Sequence, residues 1–222
     1  MEINHDDGGR LDKRYTRNLL DALAREGCHG LPYSADSTAP AQLVFDPAPV
    51  SEARSLRPAY RLIARARSLD GEVTVRGSIL VHASTGINDL ASLKGEWISF
   101  VSKRSWPGYR LPIALLEKAG IDENSNNFYF VGNHVGAVSA LLHRDVHVAV
   151  MAEPLARRWA EQNGLSIVAV TDEVETGGWW LHRDVAGELA NNCIQALTGI
   201  GRSRYKALPA WIGSFVTPPT ER

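Results

Sequence analysis

The richest chemistry in this sequence lies in Ser102-Lys-Arg-Ser-Trp-Pro-Gly-Tyr109, which runs directly into an apolar helical segment. A helix N-terminus offers unpaired N–H groups and the positive end of the peptide dipole, so such a loop can receive an anion. Lys103 or Arg104 would add charge there, and Gly108 permits close approach of the backbone. The same residues also read as an ordinary serine-rich helix cap with both cations left in water. Pro107 removes one backbone N–H from the loop.

Three further positions could take part. His134 follows a strand, and an imidazole can donate to an anionic oxygen, although an isolated histidine is more often structural. Glu153 ends a strand just before Pro154. Strand C-termini are where open α/β sheets present ligand contacts, and a carboxylate there would attract an amine or accept from a hydroxyl. Its alternative role is charge compensation in the first turn of a helix. Trp179 and Trp180 must point to opposite faces of their strand, so one could wall a cleft while the other fills a core. With Trp106 and Tyr109 they suggest an aromatic pocket, against the alternative that they are packing residues.

The remaining polar residues form no recognisable site. His82, His143, His147 and His182 lack zinc spacing, and there is no phosphate loop, dinucleotide glycine fingerprint or nucleophile elbow. The 24 Lys and Arg balance 25 Asp and Glu, so no global field draws nucleic acid or an anionic membrane. Arg157-Arg158 and the cluster from Arg202 to Lys206 read as solvated helix faces. Cys28 and Cys193 sit outside any metal spacing and read as two buried thiols, with one long-range disulfide as the alternative. No cofactor is expected. Met1 to Arg10 has neither the charge nor the apolar run of a secretory signal.

The elements that would position these residues alternate along the chain. Strands are expected at 42–45, 60–66, 77–82, 97–101, 128–131, 146–151, 165–170 and 178–182. Helices are expected at 14–25, after Val50, and at 108–119, 136–143, 154–163 and 185–197, with a short one before Trp211. Alternation at this spacing is the mark of an α/β layer with mostly parallel strands and helices on both faces.

From about Tyr60 onward the chain resembles the substrate-binding proteins of phosphate and phosphonate ABC transporters, the PhnD-like branch of the periplasmic-binding-protein fold. The resemblance rests on four stretches in order: Ser78-Ile-Leu-Val-His82 with Ile87-Asn-Asp-Leu-Ala-Ser-Leu-Lys-Gly95; Trp97-Ile-Ser-Phe-Val101 with the 102–109 loop; Val131-Gly-Asn-His134 with Val146-His-Val-Ala-Val-Met-Ala-Glu153; and Leu181-His-Arg-Asp-Val185 with its helix. It implies a two-lobed α/β protein with a two-segment hinge, lobe one at 1–83 and 177–222 and lobe two at 84–176. The hinge segments would lie near 82–85 and 175–178, and lobe one is expected to be either incomplete at its N-terminal part or built differently at its edge, because nothing in Met1 to Asp12 reads as its opening strand.

The resemblance also implies a small anionic or organic ligand held between the lobes by Arg104, Ser105, Gly108, Tyr109, His134, Glu153 and Trp179. The partner would be a membrane permease. The family is periplasmic, whereas the N-terminus as read leaves a cytoplasmic location open. Trp106 and Pro107 stand where the family has small or hydroxyl residues, and Gly177 stands where some phosphonate binders carry an acid, which argues against aminoalkyl phosphonates in that mode. An enzyme on the same fold, or a sensor module with a filled cleft, remains the alternative.

Overall fold

In the computed structural model, residues 2–3, 13–31, 41–200, 206 and 208–219 are described. The chain runs β1 (Glu2–Ile3), α1 (Lys13–Arg25), β2 (Leu43–Asp46), α2 (Val50–Leu56), β3 (Tyr60–Ser68) and β4 (Thr74–Val75). It continues with β5 (Gly77–His82), β6 (Trp97–Phe100), α3 (Leu111–Lys118), β7 (Asn127–Phe130), α4 (His134–Leu142), β8 (Val148–Ala152) and α5 (Glu153–Asn163). It closes with β9 (Leu165–Val170), β10 (Val174–Glu175), β11 (Gly178–His182), α6 (Gly187–Gly199) and β12 (Ile212–Val216). Most of the Arg202–Lys206 cluster and the short helix expected before Trp211 fall outside the described residues.

Two five-stranded sheets form, ordered β1-β2-β11-β3-β12 and β7-β6-β8-β5-β9, joined by the two-stranded ribbon β10-β4. The two-lobed α/β architecture is as expected, but the sheets are mixed rather than mostly parallel. Among the described residues, parallel pairing is confined to β1–β2, β6–β7 and β6–β8. The reason is the way each lobe is entered and left: β5 and β11 arrive from the opposite lobe and therefore run against their neighbours.

The boundary of the lobes also differs from expectation. β5 lies inside the second sheet between β8 and β9, so the first crossing is at Val75–Gly77, not near 82–85. The expectation that Met1 to Asp12 supplies no strand is corrected too, because Glu2–Ile3 pair with Val44 and Phe45 at the edge of the first sheet.

Period-two alternation explains how both faces of each sheet are covered. In the second sheet, Leu80, Ala149 and Met151 join the main core with Ala137, Val138 and Leu141 of α4. Ile79, Val81, Val148 and Val150 face the other way, onto Phe100, Leu116 and Ile121. In the first sheet, Leu43, Phe45, Trp179 and Leu181 meet Leu19 and Leu23 of α1 and Cys193, Ala196 and Leu197 of α6. Val44 and Trp180 turn to Val50 and Ala53 of α2.

α1 ends as its sequence suggests, with Gly27 at φ 84° and the Cys28 N–H donating to Leu23 O at 3.0 Å. That turn delivers Cys28 to α6, where it forms a disulfide with Cys193 across a sequence separation of 165. Two buried thiols were the expected state, and the bridge overturns it. Replacing both cysteines by serine should lower stability by about 2–5 kcal/mol, read as a lower denaturant midpoint that reducing agent reproduces in the parent protein.

Candidate functional site

Three neighbouring parallel strands, β7, β6 and β8, finish at one edge of the second sheet. Each is followed by a helix start: α4 at His134, the turn 106–110 leading into α3, and α5 at Glu153. Gly77, where the chain enters this sheet, pairs with Ala152, and Ser78 pairs with Val170, where it leaves. Both crossings therefore emerge at the same edge as the three helix N-termini. Such an edge concentrates positive dipole ends next to the neighbouring lobe.

The loop after β6 is built inward. Ser105 is fully buried, its Oγ accepts the Gly108 N–H at 3.0 Å, and its carbonyl accepts the Arg110 N–H at 2.9 Å. This wide spacing gives Trp106–Arg110 a π-helical turn, and Pro107 fits its start because no N–H is needed there. A Cβ on Gly108 would lie 2.4 Å from Val101 Cγ2 and 2.7 Å from Ser105 Oγ, so the glycine serves tight seating of the turn on Val101. Of the residues expected to meet ligand here, Ser105 and Gly108 are thus brought together, with the Gly108 N–H directed into the turn.

Tyr109 packs edge-on against Phe100 at 5.2 Å and against Phe130 at 5.4 Å. Burial, then the nearby Glu123 carboxylate, hold its phenol above the ordinary value. Arg104 is exposed, and its backbone N–H donates to Ser102 Oγ at 3.3 Å. Lys103 instead reaches Glu123 at 2.9 Å.

His134 is the first residue of α4 and is buried. Its Nδ1 accepts the Ala152 N–H at 3.3 Å, which fixes the proton on Nε2 and makes the ring a donor from that atom. Burial lowers its pKa to about 3, so the imidazole is neutral at physiological pH. Protonation is therefore not available to this ring as a way of strengthening an anion contact.

Glu153 opens α5, pairs with Arg157 one turn later through Nε–Oε1 at 3.0 Å, and receives nine-tenths burial. It also lines a cavity of about 260 Å³ beside the ribbon, together with Ser68, Asp70, Glu72, Arg76 and Glu173. First-turn charge compensation and a place on a cavity wall coincide in this one carboxylate. Trp179 is a correction: it is fully buried among Phe45 at 5.3 Å and Phe215 at 6.3 Å. Trp180 is buried on the opposite face, so neither tryptophan walls a cleft. The two tryptophans do face opposite ways, but both faces of β11 are covered by helices.

Gly177 has a packing reason as well. A Cβ there would stand 2.1 Å from Asp46 O and 2.5 Å from Ala48 O, so no acidic side chain fits at this crossing.

Two residues that sequence reasoning passed over complete the edge. Asn133 caps α4, its Oδ1 accepting the Gly136 N–H at 2.7 Å; an Asn ahead of an apolar helix was the available signal. Arg110 stacks over Trp106 at 5.0 Å and donates to Glu52 of α2 at 3.2 Å, an ion pair from one lobe to the other. That contact has no local sequence signal, because its partners are 58 residues apart.

Comparison with known proteins agrees with this architecture. The family model for the periplasmic substrate-binding protein of phosphonate ABC transporters matches residues 43–218. PhnD1 of Prochlorococcus marinus, in complex with methylphosphonate, superposes with TM-score 0.72 at 14% identity, covering 98% of this chain and 92% of that one. A binding-protein component of a phosphonate ABC transporter from Pseudomonas aeruginosa gives 0.66 at 12% identity, covering 98% and 80%. A Xanthomonas citri protein bound to ATP gives 0.63 at 14% identity, covering 99% and 90%.

The geometry of the site sets two expectations. Gly108→Val should cost about 1–3 kcal/mol through overpacking against Val101, seen as a lower denaturant midpoint. His134 should make the fold acid-sensitive. In the unfolded chain the ring takes a proton near pH 6.5, while the folded ring resists it down to about 3, so stability falls between those values as pH is lowered. Denaturation midpoints measured from pH 7.5 to 4 should show a shallower decline in His134→Gln than in the parent.

Proposed function

The chain belongs to the family of periplasmic substrate-binding proteins of phosphonate ABC transporters, and from that premise we propose that it binds a small oxyanion reversibly where α3, α4 and α5 begin. One observation carries this reading: three adjacent parallel strands bring three helix N-termini to the edge at which both interlobe crossings emerge. Partial positive charge gathered at a junction between lobes suits an anion that closure would surround.

Ser105 still has its hydroxyl hydrogen to give while its oxygen accepts from Gly108, and His134 donates from Nε2. Arg104, exposed in the same loop, would add charge at the rim. Glu153 faces the ribbon side and suits a donor group on the ligand rather than its anionic oxygens. Ser105 and His134 are both buried in this arrangement, so ligand reaches them when the lobes separate. The Arg110–Glu52 pair is one contact that separation must break.

The neighbour that holds methylphosphonate supports a ligand of that size. A permease that receives the closed form is the partner this family membership implies. The Cys28–Cys193 bridge supports residence in an oxidising compartment such as the periplasm. A ring titrating near pH 3 is a poor general base, which weighs for binding over turnover.

Calorimetric titration with methylphosphonate, phosphate and larger phosphonates tests the reading. At least one should bind with saturation, and Ser105→Ala and His134→Gln should each weaken it by about tenfold, the loss of one hydrogen bond to a charged group. Absence of binding by the whole series, in protein that melts cooperatively, would sink the proposal.

A further inference from the structure

Arg110 and Glu52 belong to different lobes, and each is fixed to its own. Arg110 ends the 106–110 turn, which is seated on lobe two from two sides. Gly108 packs against Val101, and a Cβ on Gly77 would lie 2.5 Å from Pro112 Cγ and 2.6 Å from Pro107 O, so the turn also rests directly on β5. Glu52 stands in the first turn of α2, which lobe one holds through Val50 and Ala53 against Val44 and Trp180. Neither side chain rides on a segment free to follow its partner when the lobes part. The 3.2 Å contact from Arg110 Nη1 to Glu52 Oε1 can therefore be made only while the lobes are together.

The Trp106 ring, 5.0 Å from Arg110 Cζ, gives the guanidinium a platform within the same turn. A cation already held over an aromatic face loses less side-chain freedom when it meets its carboxylate. The two charged side chains are 43% and 38% exposed, so dissolved ions reach the pair and screen it.

We propose that Trp106, Arg110 and Glu52 form an interlobe latch that biases the protein toward its closed arrangement, with Trp106 as the residue that positions Arg110. An interaction made in only one of two arrangements shifts the balance between them by its own free energy, with or without ligand. An exposed ion pair of this kind shifts it about two- to fivefold. The consequence for ligand rests on the anion-binding reading above. Lobes that bury Ser105 and His134 must open before ligand leaves, so the latch slows release by that same factor.

Pulsed electron–electron resonance between nitroxides on Gln195→Cys of α6 and Lys118→Cys of α3, both exposed positions, measures lobe separation in ligand-free protein. At low salt, Glu52→Gln and Arg110→Gln should each raise the ratio of open to closed protein about two- to fivefold, and the double variant should do no more than either single one. Trp106→Leu should give a smaller shift in the same direction. Salt at about 1 M, where the screening length is about 3 Å, should open the parent to the level of the variants and leave the variants unmoved. Release of methylphosphonate, followed by tryptophan fluorescence in stopped flow, should quicken in Glu52→Gln by the factor seen in the populations. Populations that stay as in the parent in both single variants overturn the latch, even where methylphosphonate binds. Populations that shift in a protein that binds neither methylphosphonate nor phosphate support the latch and count against the anion reading alone.

Discussion

Everything that could act on a ligand here depends on where the chain passes between its two sheets. The segments Val75–Gly77 and 171–177 cross side by side, pinned by the β4–β10 ribbon and by Gly177 lying against the Asp46 and Ala48 carbonyls. Because β5 enters the second sheet antiparallel to β8 and β9, both crossings leave from the edge where β6, β7 and β8 end. Reversal of that one strand would move the first crossing to the far edge and separate it from the helix N-termini and from the second crossing. The hydrophobic alternation of Ile79, Leu80 and Val81, which fixes the register of β5, is therefore what places the site.

The electrostatics at that edge are a balance of opposed partial charges. Three helix N-termini supply positive potential, but Glu153 lies in the first turn of α5 and Glu52 in the first turn of α2. Each carboxylate is answered by an arginine, Arg157 and Arg110 respectively. What remains for an incoming anion is dipole and hydrogen-bond donation rather than full charge. Such recognition favours small, well-shaped ligands, since backbone and hydroxyl donors reward geometry more than net charge.

Much of this was legible in the sequence, for identifiable reasons. β5, β9 and β11 are short apolar runs bounded by polar or glycine residues, and their limits follow from composition alone. The resemblance to phosphonate-binding proteins pointed to the 102–109 loop and to His134, and both lie at the edge where β6, β7 and β8 end. The ribbon strands escaped because two residues carry no periodicity. Trp179 misled because an aromatic next to a crossing looks like a cleft wall until the covering helices are counted. The cysteine pair escaped because nothing in one sequence tells that the end of α1 meets α6. His134 was found by position, yet its neutrality comes from burial that only the packing of α4 on β8 creates.

The disulfide reaches further than the core it sits in. Cys28 lies just after α1 and Cys193 within α6, and the whole of the second sheet is strung between them. Covalently, lobe one closes a ring, and lobe two is a bight in that ring. Tension applied at the chain's ends, as during threading through a narrow passage, would travel through sulfur and leave residues 28 to 193 slack. The lobe that carries three of the helix N-termini is then mechanically sheltered, and a pull strong enough to strip α1 from the core would still not unravel it.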